Sequence, residues 1–278
     1  MNRGERKQKA EETIKILNAG HYAVNGKKVM LAKQQNSSIE QSVLLREKDS
    51  KAFFQDDRTQ TFDTNFSCEN ESTVAAIHRF YQTGLRPLGV LNFASAKNPG
   101  GGFLSGAVAQ EESLAISSGL YYTQTRNKAY YDINRSSQSM FYTHTAIFSP
   151  EVVFFRDEGL ELVEEPSLAS VLTLPAVNLS LIKKSESALK QSEILMMYRM
   201  RLCLAIFQHY QIEHVILGAF GCGVFKQKPQ QVAKWWEALL EGEFKHQFKQ
   251  VHFAVLDASK KQDNILAFQE TAQRLSTL

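Results

Sequence analysis

Three consecutive glycines, Gly100, Gly101 and Gly102, stand seven residues ahead of Gln110, Glu111 and Glu112 in the stretch NPGGGFLSGAVAQEESLA, residues 98–115. A glycine triplet carries a conformational-entropy cost that a fold alone does not need, and adjacent carboxylates repel each other. A ligand can use both features. Bare backbone lets N–H groups converge on an anion, and a following helix N-terminus adds partial positive charge. One carboxyl could hold sugar hydroxyls; the other could be an acid, its pKa raised by an apolar setting. Consecutive residues on a helix do not face the same way. Glu111 and Glu112 therefore cannot be the opposed pair of an ordinary glycosidase, whose carboxyls stand about 5 Å or more apart across the bond. If both act, they do different work. The same residues also fit a plain turn followed by acids that partner a helix dipole, and this stretch alone leaves both readings open.

A second turn of similar construction, GAFGCGVF at residues 218–225, contains Gly218, Gly221 and Gly223. Neither turn is a GxGxxG dinucleotide loop or a GxxxxGK[ST] phosphate loop. Two separate glycine loops at one sheet edge suit an extended ligand with a diphosphate and sugars. Cys222 has no neighbouring base, so it reads as a small neutral filler rather than a nucleophile. Cys68, Cys203 and Cys222 give no disulfide framework, and the seven histidines form no HExxH pair, so no metal is expected. A net charge of +3 over 278 residues does not mark a nucleic-acid binder. No apolar run reaches the roughly 18 residues of a membrane helix. The charged N-terminus MNRGERKQKAEETIKIL lacks an apolar signal region, so the expected location is cytoplasmic, with signal-less export left open.

These residues need elements to position them. Residues 9–20 read as an amphipathic helix and 27–31 as a strand, with loops and short elements over 32–70. Residues 70–84 form a helix capped by Ser72 or Asn70, with Val74, Ile77, Phe80 and Tyr81 as its buried stripe. Strands are expected over 87–95, 169–180, 213–225 and 250–259, and helices over 110–125, within 185–211, over 228–242 and over 264–275. This alternation predicts an α/β fold whose parallel or mixed sheet is covered on both faces. Both glycine turns then fall at carboxyl ends of strands, where such folds bind ligands. Tyr121, Tyr122, Tyr130 and Tyr131 read either as a border for a purine or as packing.

At this point the chain resembles a known family. GGG, seven residues, then QEE matches the signature of poly(ADP-ribose) glycohydrolases. VLNFASAKNPGGGFLSGAVAQEESLA resembles its microbial type, LGAFGCGVF its diphosphate-binding loop, and EETIKIL and SPEVVFFRDEG extend the likeness over most of the chain. The resemblance implies a macrodomain-like mixed sheet sandwiched by helices, with a helical or irregular extension (residues 1–70) packed on a catalytic domain (residues 71–278). It implies hydrolysis of ribose–ribose O-glycosidic bonds without cofactor or metal. Glu112 would be the catalytic acid, Glu111 would bind a ribose hydroxyl, and Gln110 would support the pair. Asn98 would touch the distal ribose, and Gly100, Gly101 and Gly102 would form the catalytic loop. Gly221, Cys222, Gly223 and Val224 would wrap the diphosphate, and Phe225 would pack on the distal ribose. The implied partners are poly(ADP-ribose) or other ADP-ribosylated macromolecules, with ADP-ribose as product, and neither membrane nor nucleic acid. A reader without turnover is the alternative that the complete QEE speaks against; a hydrolase of mono-ADP-ribose conjugates is one the motif does not separate. The segment KQKP after Phe225 departs from the family, which often has an asparagine followed by proline there. Lys226 and Lys228 read first as solvated lysines and second as contacts to a polyanion.

Overall fold

The computed structural model describes residues 1–55, 61–182 and 185–277. In chain order its helices are α1 (Arg3–Ala19), α2 (Ala32–Gln41), α3 (Thr73–Gln82), α4 (Gln110–Ser117), α5 (Leu120–Arg126), α6 (Ala129–Ser136), α7 (Glu186–His209), α8 (Pro229–Glu241) and α9 (Asp263–Leu275). Its strands are β1 (His21–Val24), β2 (Lys27–Met30), β3 (Val43–Leu45), β4 (Asn65–Glu69), β5 (Leu88–Phe93), β6 (Ala146–Arg156), β7 (Leu162–Leu174), β8 (His214–Leu217) and β9 (Gln250–Ala254).

Seven strands form one sheet in the order β3-β6-β7-β5-β8-β9-β4. From β7 to β4 the neighbours run parallel, while β6 and β3 add antiparallel pairs. The sheet is therefore mixed. Its central strands β5 and β8 are apolar and buried along nearly their whole length, as strands covered on both faces must be. One face packs on α7, α8 and α9 through Phe207, Trp236 and Phe268. The other packs on α3 and α4 through Ile77, Phe80 and Leu114. Ser72 caps α3 by accepting from the Ala75 N–H at 3.1 Å. This is the mixed α/β sheet covered on both faces that the alternation predicts, and it fits the macrodomain-like sandwich that the resemblance implies.

Several expected elements differ from those observed. The helix expected over 110–125 is two helices, α4 and α5, because Ser118 turns extended and bridges to Phe154 of β6. Gly119 follows at a point where a Cβ would collide with the Gln35 side chain, its Cδ only 2.7 Å away. Helix α1 starts at Arg3, since Asn2 and Glu5 close a capping box ahead of the expected start. The short elements expected among the loops of 32–70 are α2, β3 and β4, while 56–60 lie outside the described residues. Strands β3 and β4 form the two outer positions of the sheet. Strand β6 and helix α6 are additional elements, and β7 runs over 162–174 rather than 169–180.

Candidate active site

Strands β5 and β8 are parallel neighbours, so their carboxyl ends lie side by side. The first glycine loop leaves β5 and the second leaves β8. Topology thus brings together two stretches more than a hundred residues apart in sequence.

The first loop is tied to both carboxylates. The Gly102 N–H donates to Glu112 Oε1 at 2.9 Å. Gly101 has φ +59°, and a Cβ there would press on the Glu112 carboxyl, with Cδ at 2.9 Å, and stand 3.2 Å from Glu111 Oε2. The Asn98 carbonyl accepts from the Gly101 N–H at 3.0 Å, while the exposed Asn98 N–H donates to Ser95 Oγ at 3.1 Å. Gln110 braces the start of α4: its Oε1 accepts from the Phe93 N–H at 2.9 Å, and its Nε2 donates to the Leu91 carbonyl at 2.8 Å.

Glu111 and Glu112 occupy different settings. Glu111 is 3 % exposed and Glu112 is half-buried at the mouth of the loop. Glu111 Oε2 accepts from the Ser95 N–H at 2.6 Å, and Oε1 accepts from Asn92 Nδ2 at 3.1 Å and Gln124 Nε2 at 2.9 Å. Burial pushes the Glu111 carboxyl up to about 8, against the pull of those three donors, and the neighbouring Glu112 charge adds to the rise. The apolar setting expected for one of the two carboxyls therefore falls on Glu111.

This has a consequence for stability. Between about pH 5 and the raised value near 8, the folded chain keeps a proton on Glu111 that the unfolded chain has released. Stability then falls as pH rises through that window, by at most about 1.4 kcal/mol per pH unit for one proton. Glu111→Gln is expected to flatten that slope. Thermal unfolding of both proteins from pH 5 to 8 measures it, and parallel curves would contradict the assignment.

Gln124, Asn92 and Ser95 were not expected from the sequence as parts of the site. Gln124 links both halves of the first loop's support, since its Oε1 also accepts from the Gly100 N–H at 2.7 Å. Only the break between α4 and α5 turns it toward Glu111.

The second loop is held from behind. Trp236 Nε1 donates to the Gly218 carbonyl at 3.2 Å, and Gln227 Nε2 donates to the Val177 carbonyl at 2.8 Å. The N–H groups of Gly221, Gly223, Val224 and Phe225 have no acceptor among the described residues. Gly223 and Val224 are exposed, Val224 at 72 %. Cys222 is partly buried, and burial pushes its thiol up to about 12, which suits a neutral filler. The Phe225 ring faces Tyr142 with centroids 6.4 Å apart. Lys226 adopts φ +62°, a left-handed position where asparagine is better tolerated than lysine.

A cavity of about 390 Å³ opens at this edge, and residues 221–225, Gln110, Phe93, Glu71 and Thr73 are among those that line it. Glu111, Glu112, Asn98 and residues 100–102 do not line it, whereas Gln110, the residue before Glu111, does. Tyr130 and Tyr131 are fully buried, and none of the four tyrosines lines the cavity. Among the described residues there is no group of three His, Cys, Asp or Glu side chains that could hold a metal. No helix among them is long and apolar enough to cross a membrane.

A mixed sheet with two glycine loops at adjacent strand ends, and a carboxyl pair tied to the first of them, is the arrangement expected of a macrodomain-like glycosidase. The family model described as microbial-type PARG, catalytic domain, matches residues 10–157. Among solved structures, the poly(ADP-ribose) glycohydrolase of Thermomonospora curvata bound to the inhibitor ADP-HPD is 34% identical with a TM-score of 0.91, over 98% of this chain and 100% of that one. The enzyme of Deinococcus radiodurans in complex with ADP-ribose is 36% identical with a TM-score of 0.83, over 89% of this chain and 100% of that one. A search of curated proteins gave no match. The chain belongs to the microbial-type poly(ADP-ribose) glycohydrolase family.

Proposed function

We infer that the chain hydrolyses the ribose–ribose O-glycosidic bonds of poly(ADP-ribose) and releases ADP-ribose. The observation that carries this is the union at one sheet edge of a cavity walled by the second loop and a carboxylate, Glu112, tethered to the first loop by the Gly102 N–H. The unengaged N–H groups of Gly221, Gly223, Val224 and Phe225 suit a diphosphate in that cavity, while the Cys222 N–H is already held by the Ala219 carbonyl at 3.0 Å. Phe225 offers an apolar face to the distal ribose. Glu111, fixed by three donors and protonated near neutral pH, has one position left, on Oε2, for a ribose hydroxyl.

Glu112 is the acid in this reading. Its proton passes to the departing ribose oxygen as the C–O bond breaks and its electron pair leaves with that oxygen. Positive charge develops at the anomeric carbon and is stabilised by the neighbouring diphosphate. Water then attacks that carbon, and Glu112, now a carboxylate, takes the water's proton and is restored. Incubation with purified labelled poly(ADP-ribose) tests the assignment. Free ADP-ribose is expected; retained binding of ADP-ribose with no product from the polymer would sink it.

A further inference from the structure

Helix α1 places Arg3, Arg6, Ala10, Thr13 and Leu17 at spacings of three and four, which is one face of a helix. That face lies on the catalytic loop and α4. At one end Arg3 Nε donates to the Ser105 carbonyl at 2.9 Å, and the Arg3 carbonyl lies against Gly106. Further along, Ala10 packs with Phe103, Ala115 and Ile116, and Thr13 Oγ1 donates to the Ile116 carbonyl at 2.6 Å. Arg6 falls between these anchors, so its side chain enters the seam beside residues 101–112.

Its situation there is unusual. Nε and Nη2 of Arg6 are both buried and have no hydrogen-bond partner among the described residues. These two nitrogens form the edge that grips a carboxylate in a bidentate pair. Burial lowers the Arg6 pKa, and the opposing charge it feels is that of Glu112. Glu112 uses only Oε1 on the Gly102 N–H. A partly buried guanidinium whose Nε and Nη2 are buried and unpaired thus feels the charge of a carboxylate with an open oxygen.

We propose that Arg6 is a positioning residue for glycosidic hydrolysis: its guanidinium acts through Glu112, stabilising the charged carboxylate that exists between proton delivery to the leaving ribose and proton uptake from water. The proposal rests on the reading of Glu112 as acid and base. A fixed cation favours the carboxylate over the acid. Glu111, the other titratable group beside Glu112, holds its proton into the alkaline range, so the alkaline limb of kcat/KM reports the carboxyl pair, and Arg6 bears on that limb through Glu112. Removing the cation moves that limb upward.

The experiment compares Arg6→Gln, Arg6→Met and Arg6→Lys with the unmodified chain, using poly(ADP-ribose) as substrate and thermal unfolding to select folded variants. The two neutral replacements differ in shape and polarity, so packing defects do not affect them alike. Each neutral variant that folds is expected to shift the alkaline limb up by about one pH unit, while Arg6→Lys holds it in place. An unmoved limb in a folded neutral variant overturns the proposal. Combining Arg6→Gln with Glu112→Gln separates this from the reading beneath it. If Arg6 acts through Glu112, the double variant retains the residual activity of Glu112→Gln alone. A further multiplicative loss means that Arg6 acts elsewhere. If Glu112→Gln itself keeps full activity, it is the assignment of Glu112 that fails.

Discussion

Glu112→Gln is expected to lower release of ADP-ribose from poly(ADP-ribose) by about a thousandfold, within the range that general acid catalysis contributes. The substitution keeps the shape of the side chain and the acceptor that receives the Gly102 N–H at 2.9 Å. It replaces the ionisable carboxyl with an amide, which can neither give the proton to the leaving oxygen nor take one from water. The variant should therefore fold and bind ADP-ribose with little change, because the second loop and the cavity do not depend on Glu112. Single-turnover release from labelled polymer, with calorimetric binding of ADP-ribose beside it, provides both readouts. A variant that turns over normally would remove Glu112 from the mechanism. One that loses binding and activity together would make it a ligand contact instead of the proton source.

Gly101→Ala is expected to reduce turnover at least a hundredfold while costing the fold only about 1–2 kcal/mol, the ordinary penalty of a side chain in the left-handed region. Gly101 sits at φ +59°, and the new methyl group would occupy the place of the Glu112 carboxyl, 2.9 Å from its Cδ. Either the loop or Glu112 must move, and the Gly102 N–H contact breaks in both cases. A misplacement of about 1 Å can cost a hundredfold in rate. Denaturant unfolding combined with kcat measures the split. A large stability loss with normal kcat per folded molecule would show that the triplet serves the fold and not the chemistry.

The glycine triplet, the QEE motif and the strand before them were legible because each is contiguous and chemically distinctive. So was the second loop, since an apolar strand runs straight into it. The supports of Glu111 were not legible. Asn92 and Ser95 look like ordinary strand-end residues until β5 is set beside its neighbours, where Asn92 also reaches Thr173 of β7 at 3.2 Å. Gln124 is brought round by a helix break that depends on Gln35 packing against Gly119 and Ser118 pairing with Phe154, contacts remote in sequence. Strand β6 escaped because it carries Pro150 and Glu151, and the register with β7 shifts between Ser149 and Val152. A proline inside a strand is tolerated at such a bulge but spoils the pattern by which strands are read. Residues 65–69 show no clear alternation of buried and exposed positions, and their partner, β9, lies far along the chain.

Strands β3 and β4 border the sheet on opposite sides, yet both are translated before any strand that lies between them. Asn65 pairs with Gln250 and Val43 with Phe148, so each border waits for a partner made much later by the ribosome. Closing such long loops slows folding and leaves unpaired strand exposed meanwhile. The nascent chain must carry β4 unmatched until β9 emerges, and the two glycine cradles come to stand side by side only after β8 has been made and has joined β5.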